Sequence, residues 1–395
     1  MAAEGTRPTI VTRSYVLICL TGFLVFLSFF SLNGILPLYV LRVGGTPVDV
    51  GAMMALFTVA AVLFRPWVGC WADRADRRWI LGAGLVVIVF SFGAYAAVRS
   101  LWWLGALRVL HGLGWAMTST SASALVADVV PAPRRGEAMG YYANFGDVAM
   151  GVGPWLAVFT MDRLGFAATF LLGGALALAA AVPLAFLRLS HRPRGGAEGG
   201  VLSPHALLPA VVLLSATCSF GAVVTFLPLY TPRHGLGGAV WGVNAFAWFY
   251  VAYAMTLLAV RGPVGRISDR RGRAWAILPG MALLAGATVF LAFLHTFPQL
   301  LLFGIAMGVG FGAAQPSLMA WTIDRTPPRE WGRAMGTFFA AFDLGIGISA
   351  LVLGALVQAV SYRAMYLTAA AVVLAGTLAY EVAHRRRGPA AGGSP

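Results

Sequence analysis

The segment Gly69-Cys-Trp-Ala-Asp73-Arg74-Ala-Asp76-Arg77-Arg78 lies between two long apolar runs, and Gly265-Arg-Ile-Ser-Asp269-Arg270-Arg-Gly272-Arg273 lies between two others. Gly69, Asp73 and Arg74 fall on Gly265, Asp269 and Arg270 at an offset of 196 residues, close to half of the 395-residue chain. The same offset carries Arg65 onto Arg261, Asp128 onto Asp324 and Asp147 onto Asp343. It also carries Gly136-Glu-Ala-Met-Gly140 onto Gly332-Arg-Ala-Met-Gly336. Leu36-Pro-Leu-Tyr39 and Leu227-Pro-Leu-Tyr230 match at 191, so the loop before the eighth apolar run is five residues longer than its counterpart. The chain is two related halves of the same orientation, an architecture that holds a transported molecule between the halves near the midplane.

Composition names the solvent. Hydrophobic residues make up 59% of the chain and charged residues 11%, with a mean hydropathy of +0.81. A soluble domain carries about 25% charged residues, so an ordinary soluble enzyme is excluded. At about 20 apolar residues per crossing, the chain reads as twelve spans. These lie at 14–40, 48–72, 79–98, 101–127, 138–160 and 165–187, then 206–230, 240–266, 274–294, 297–323, 334–360 and 362–382. A polar stretch rich in Gly and Arg separates the sets, which gives a first bundle over 1–188, a linker over 189–205 and a second bundle over 206–395 with a short basic tail. No cleavable leader is expected, because the first apolar run is too long for one.

The formal net charge is +14, and all 28 basic residues are Arg. Twenty lie at the termini and in the loops after even-numbered spans, and five lie in the opposite loops. That bias predicts a multi-pass protein of the cell inner membrane with both termini cytoplasmic. It is the pattern of orientation and lipid contact, not of nucleic-acid binding. Cys19, Cys70 and Cys218 show no metal-site spacing. No nucleophile constellation, Rossmann fingerprint or Walker loop appears, so neither an enzyme nor a cofactor is expected, and an ATP-driven pump is disfavoured.

The two quoted segments resemble the loop-2/3 signature of the major facilitator superfamily, with Asp76 where the family usually has Gly and Gly272 keeping it. Arg108-Val-Leu-His111-Gly112-Leu-Gly114 is similar to the fourth-span pattern of its proton-coupled members, with His in a Gln position. Gly140, Gly146, Gly151, Gly153 and Pro154 partly match the fifth-span motif of its exporters. The resemblance covers all twelve spans. It implies an all-α membrane fold of two pseudo-symmetric six-helix bundles and, most closely, the drug or metabolite efflux branch. In the loop motif Gly69, Asp73, Arg74, Arg77 and Arg78, with Gly265, Asp269, Arg270 and Arg273, glycine allows close helix approach. The aspartate meets an opposing helix N-terminus.

A charge inside a span is costly unless paired, so Arg65, Arg108, Asp147, Arg261 and Asp343 are the candidates for proton coupling and gating. Counted from the Arg-rich ends, Arg65 and Arg261 lie about 12 Å deep and Asp147 and Asp343 about 15 Å deep. In the resembled fold span 2 faces span 11 and span 5 faces span 8. Two pairs across the halves are therefore expected, Arg65–Asp343 and Arg261–Asp147, closing the cytoplasmic side in the outward-facing state and breaking on inward opening. A brace within one half is the alternative. Arg108 either couples or braces its own half, and His111 reads best as a neutral hydrogen bonder between helices. Spans 1, 4, 7 and 10 line the cavity in this fold, with Asn33, Phe30, Thr118, Phe220, Thr225 and Gln315 as its predicted lining.

The leading reading is a monomeric secondary-active exporter of a small organic molecule, driven by proton antiport without a cofactor. An uptake symporter for a sugar or organic anion, with Arg108 as anion partner, is the second. A membrane enzyme or sensor on the same scaffold is the third.

Overall fold

In the computed structural model, residues 10–131, 135–187, 202–327 and 331–385 are described. The helices are α1 (Arg13–Arg42), α2 (Pro47–Arg74), α3 (Arg77–Ala97), α4 (Leu101–Val129), α5 (Arg135–Ala179) and α6 (Ala181–Ala185), followed by a 3-10 turn at Pro204–Ala206. Then come α7 (Leu207–Arg233), strands β1 (Ala239–Val240) and β2 (Val243–Asn244), α8 (Ala245–Arg271), α9 (Ala274–Leu291), α10 (Phe297–Asp324), α11 (Trp331–Ala359) and α12 (Tyr362–Arg385). The predicted linker lies mostly outside the described residues.

Local chemistry sets the helix ends. Thr46 and Asp49 form a reciprocal capping box at the start of α2, and Thr296 and Gln299 do the same for α10. Asp76 caps α3 by accepting from the Arg78 amide at 2.9 Å. Among the described residues, ten helical stretches are apolar and long enough to cross a membrane. One of them, the 48 residues of Ala138–Ala185, holds two crossings. The 29-residue α4, diluted by Arg108, His111 and a run of Ser and Thr, supplies the remaining crossing.

Two expected boundaries shift. Span 5 runs on past 160 and meets span 6 at Gly165, the start expected for the sixth span, where φ is 83° and ψ 178°, so α5 is two helices joined at a sharp break. A side chain there is strained by about 1–2 kcal/mol. Gly165→Ala is expected to lower the melting temperature in detergent by a few degrees, read by a thermal unfolding assay. The eighth span begins at Ala245, not 240, because the residues before it form the hairpin of β1 and β2.

Within the first six spans α1 packs on α5, α2 on α4, and α3 on α4 and α5; among the last six, α7 packs on α11 and α12, and α10 on α8 and α9. Two seams join the sets, α2 along α11 and α5 along α8, with α1 meeting α7 between them. Exposed Trp79 and Trp275 stand near the Arg-rich ends of α3 and α9, and exposed Trp102, Trp103 and Trp241 near the opposite ends. These are the aromatic girdles of a membrane-spanning protein.

Candidate functional site

The seams are built from small residues. Helix backbones approach only where side chains are absent. At Gly51 of α2 an added Cβ would run into the Ala350 carbonyl of α11, at Gly347 of α11 into the Thr58 side chain, and at Gly354 it would come within 2.7 Å of the Pro47 carbonyl. Gly151 of α5 sits equally close to Ala254 of α8. The close approaches thus fill the Arg-poor part of both seams.

The ion pairs lie where this packing ends. Arg65 Nη2 is 2.5 Å from Asp343 Oδ2 across the α2–α11 seam. Arg261 Nη1 donates to Asp147 Oδ2 across the α5–α8 seam. All four side chains are largely buried, between 11% and 24% exposed. The two bridges are related by the repeat, and both join the halves instead of bracing one. They are formed while the opposite end of each seam is closed, so both closures are engaged at once.

The bridges differ in one contact. Arg261 also donates through Nη2 to Gln315 Oε1 at 2.8 Å. The repeat places Ser119 where Gln315 stands, and its hydroxyl donates to its own helix at Trp115 O, 2.7 Å away. Gln315, expected to line the cavity, is half-buried and also holds Arg261 from α10.

Beyond the bridges the seams open. Added Cβ atoms at Gly69 and Gly265 would meet open space, which corrects the expectation that these glycines mark close helix contacts. Asp269 binds Arg273 of its own loop and stays 68% exposed. The side chains of Asp73 and Arg74 lie outside the described residues. Arg77 bridges Asp128 at 2.5 Å and Arg273 bridges Asp324 at 2.8 Å, a second pseudo-symmetric set. The shared 196-residue offset of Asp128 and Asp324 was the signal for it. Arg78 pairs with Asp76 at 2.5 Å and donates to Leu187 O at 2.9 Å. Arg270 is exposed at the end of α8. Gly272 takes φ 95° where Asp76 takes −65°, so the two loops turn differently and the first tolerates a side chain.

Arg108 takes part in neither bridge. It is 1% exposed, its Nε donates to Met53 O at 3.0 Å, and its guanidinium lies 4.4 Å from the Phe57 ring centre. These contacts tie α4 to α2. His111 beside it is buried with Nδ1 3.5 Å from the Tyr95 hydroxyl. Arg108→Ala strips a cation–π contact and a charged donor from a buried carbonyl, and an expected loss of about 2–4 kcal/mol follows. Arg108→Lys keeps the charge but has one terminal nitrogen in place of a stacked guanidinium and a separate Nε donor, so it is expected to recover only part of that loss; thermal unfolding compares the two.

Several predicted cavity residues pack elsewhere. Thr118 bonds to Gly114 O in its own helix and faces Gly84 of α3, because its hydroxyl is satisfied by the turn below. Thr225 and Asn33 are buried, with Thr225 Oγ1 and Asn33 Oδ1 lacking hydrogen-bond partners among the described residues. Phe30 is half-buried, edge-on to Phe29 at 5.1 Å. Phe220 stacks on Phe311 at 5.2 Å and meets Tyr253 at 5.7 Å. The repeat has the same trio in the first half, Phe29 against Trp115 at 4.1 Å and Phe57 at 5.3 Å. Trp115, Phe57 and Tyr253 were missed because an aromatic in an apolar run carries no signal of which face it takes.

Two seams closed by paired charges, between halves of one repeat, define an alternating-access transporter fold. The sequence profile of the Major Facilitator Superfamily matches residues 18–246 and again 240–394, and the chain belongs to that superfamily. It is 25% identical over 374 residues to the staphylopine export protein of Staphylococcus aureus, covering 89% of this chain and 92% of that protein. It is 25% identical over 377 residues to the quinolone resistance protein NorA of the same species, covering 89% and 93%. It is 27% identical over 369 residues to a PmrA homolog, a multi-drug resistance efflux pump of Lactococcus lactis, covering 87% of each. The nucleoside transporter NupG shares the fold with a TM-score of 0.76 at 14% identity, over 95% of this chain and 100% of that one. A bacterial homolog of the lysosomal transporter Spinster, inward-facing and unoccupied, gives 0.78 at 14%, over 96% and 98%. The chain is a multi-pass membrane transporter of this superfamily.

Proposed function

We propose that the protein exports a small organic molecule across the cell membrane by proton antiport, as a monomer with both termini in the cytoplasm and no cofactor beyond the proton gradient. The observation that carries this reading is the pair of repeat-related bridges, Arg65–Asp343 and Arg261–Asp147, each spanning one seam between the halves. Opening the Arg-rich side pulls each carboxylate from its guanidinium. A carboxylate left without its partner in low dielectric favours its neutral form, so a proton taken up from the outer side lets each bridge part, and its release to the cytoplasm lets the bridge re-form as substrate moves outward. The export direction draws on the named relatives, which are an export protein, a drug resistance protein and an efflux pump. The uptake reading loses its anchor, because the guanidinium it assigned to an anion is walled in by Met53, Met54 and Phe57.

The deciding experiment is transport into inverted vesicles under an imposed proton gradient, screened over amphipathic compounds with a quinolone among them. Substrate-dependent dissipation of the gradient is expected. Accumulation that ignores the gradient would remove the coupling, and flux only in the opposite direction would remove export.

A further inference from the structure

The loop between α7 and α8 exceeds its counterpart between α1 and α2 by five residues. The extra length builds a device that the first half lacks. Ala239–Val240 and Val243–Asn244 pair antiparallel across the two-residue turn Trp241-Gly242. Both turn residues have positive φ, 51° and 77°, as a tight hairpin of this hand requires. A tryptophan in that region is strained and held by its surroundings. The hairpin is fastened to its own helix: Trp248 Nε1 donates to Val240 O at 3.0 Å, and the Trp241 ring meets Trp248 edge-on at 5.0 Å.

The last hairpin residue, Asn244, reaches across to the other half. Its Nδ2 donates to Asp162 Oδ1 at 2.7 Å and Oδ2 at 2.8 Å, and its backbone N–H donates to Oδ2 at 3.2 Å. Asp162 sits just before the Gly165 break in α5. Its neighbour Arg163 stacks its guanidinium 3.7 Å from the centre of the Phe159 ring and brings Nη2 to the Gly242 turn of the hairpin. Trp155 of α5 and Trp248 of α8 meet alongside at 6.2 Å. In the first half, the acid near the equivalent loop, Asp49, is bonded to Thr46 in its own capping box.

We propose that Asp162 and Asn244 form a latch that holds the Arg-poor face shut, at the far end of the same α5–α8 seam that the Asp147–Arg261 bridge closes near its Arg-rich end. The inference rests on the alternating-access reading above. Hydrogen bonds from neutral donors to one carboxylate at an exposed edge are cheaper to break than a buried ion pair. The latch is therefore the closure that yields when the transporter opens toward the Arg-poor side. On opening, the hairpin moves with α8 and Asp162 stays with α5.

The test needs no substrate. In a background with Cys19, Cys70 and Cys218 replaced by alanine, Thr58→Cys puts one thiol in the α2–α11 seam, where Thr58 is buried against Gly347. A membrane-impermeant maleimide added to intact cells reads its exposure from the Arg-poor side. Asp162→Ala and Asn244→Ala are each expected to raise the labelling rate about five- to tenfold, and the double variant no further. Oxidising the Asp162→Cys, Asn244→Cys pair is expected to suppress labelling of Thr58→Cys, read on its own peptide by mass spectrometry, and dithiothreitol, removed before the maleimide is added, to restore it. Arg65→Ala, which breaks an inner bridge, is expected to lower labelling. A response to Arg65→Ala with none to the latch variants or the cross-link overturns the latch. Unchanged labelling in every variant overturns the alternating-access reading beneath it.

Discussion

Asp147→Leu is expected to abolish gradient-driven export and to destabilise the protein by about 3–5 kcal/mol. Asp147→Leu combined with Arg261→Met is expected to recover most of that stability and none of the transport. The two results separate holding the fold from working the cycle. Arg261 and Asp147 are 18% and 11% exposed, so removing the carboxylate leaves a guanidinium in low dielectric with only the Gln315 carbonyl to meet it. Removing both charges replaces a desolvated pair by apolar packing, which is often neutral or better for stability. Proton exchange, however, needs the carboxylate itself. Asp343→Leu is expected to cost at least as much, because among the described residues Arg65 has no equivalent of Gln315, Ser119 at the repeat-related position bonding its own helix instead. Thermal unfolding in detergent measures the first quantity and flux in inverted vesicles the second. Undiminished, gradient-dependent export by the single variants would end the coupling role of both bridges.

The bridges were legible in the sequence for the same reason that they matter. Charges inside apolar runs are rare and need partners, a constant offset between halves shows that these four are repeat-related, and the resembled fold, in which span 2 faces span 11 and span 5 faces span 8, implies which of them meet. The 196-residue offset thus located four ion-pairing residues without any contact being known. It was silent on faces. Thr118 and Ser219 sit in helices whose polar residues mark out no single face, so nothing in their spacing revealed that Thr118 turns toward α3 and that Ser219 pairs with Thr288 of α9 at 2.6 Å. The contact of Gln315 with Arg261 went unread because the two lie 54 residues apart, in helices whose rotation no pattern fixes. The loop motif misled in the other direction. Glycine permits close approach but does not demand it, and in this conformation Gly69 and Gly265 face space. The hairpin was visible only as five surplus residues, since Trp241-Gly242 is not the usual pair for such a turn.

Gly51→Val is expected to cut transport by at least tenfold while leaving the protein folded, by keeping the Arg-poor end of the α2–α11 seam from closing. An added side chain at Gly51 points at the Ala350 carbonyl, and backbone cannot step aside as a side-chain tip can. Overpacking a tight contact costs about 1–3 kcal/mol, but here the cost falls only on the conformation in which the two helices touch. A penalty confined to one state shifts the equilibrium instead of unfolding the chain, and about 2.8 kcal/mol changes the ratio of states about a hundredfold. The protein would dwell with that face open, its bridges intact, and the cycle would stall. Labelling of Thr58→Cys from the Arg-poor side would then rise even with the Asp162–Asn244 pair unaltered. Gly140→Val is the matched control, because a Cβ there meets open space in this conformation. It should leave labelling unchanged. Equal transport by Gly51→Val and the parent protein would show that the close approach of α2 and α11 is not a step the cycle depends on.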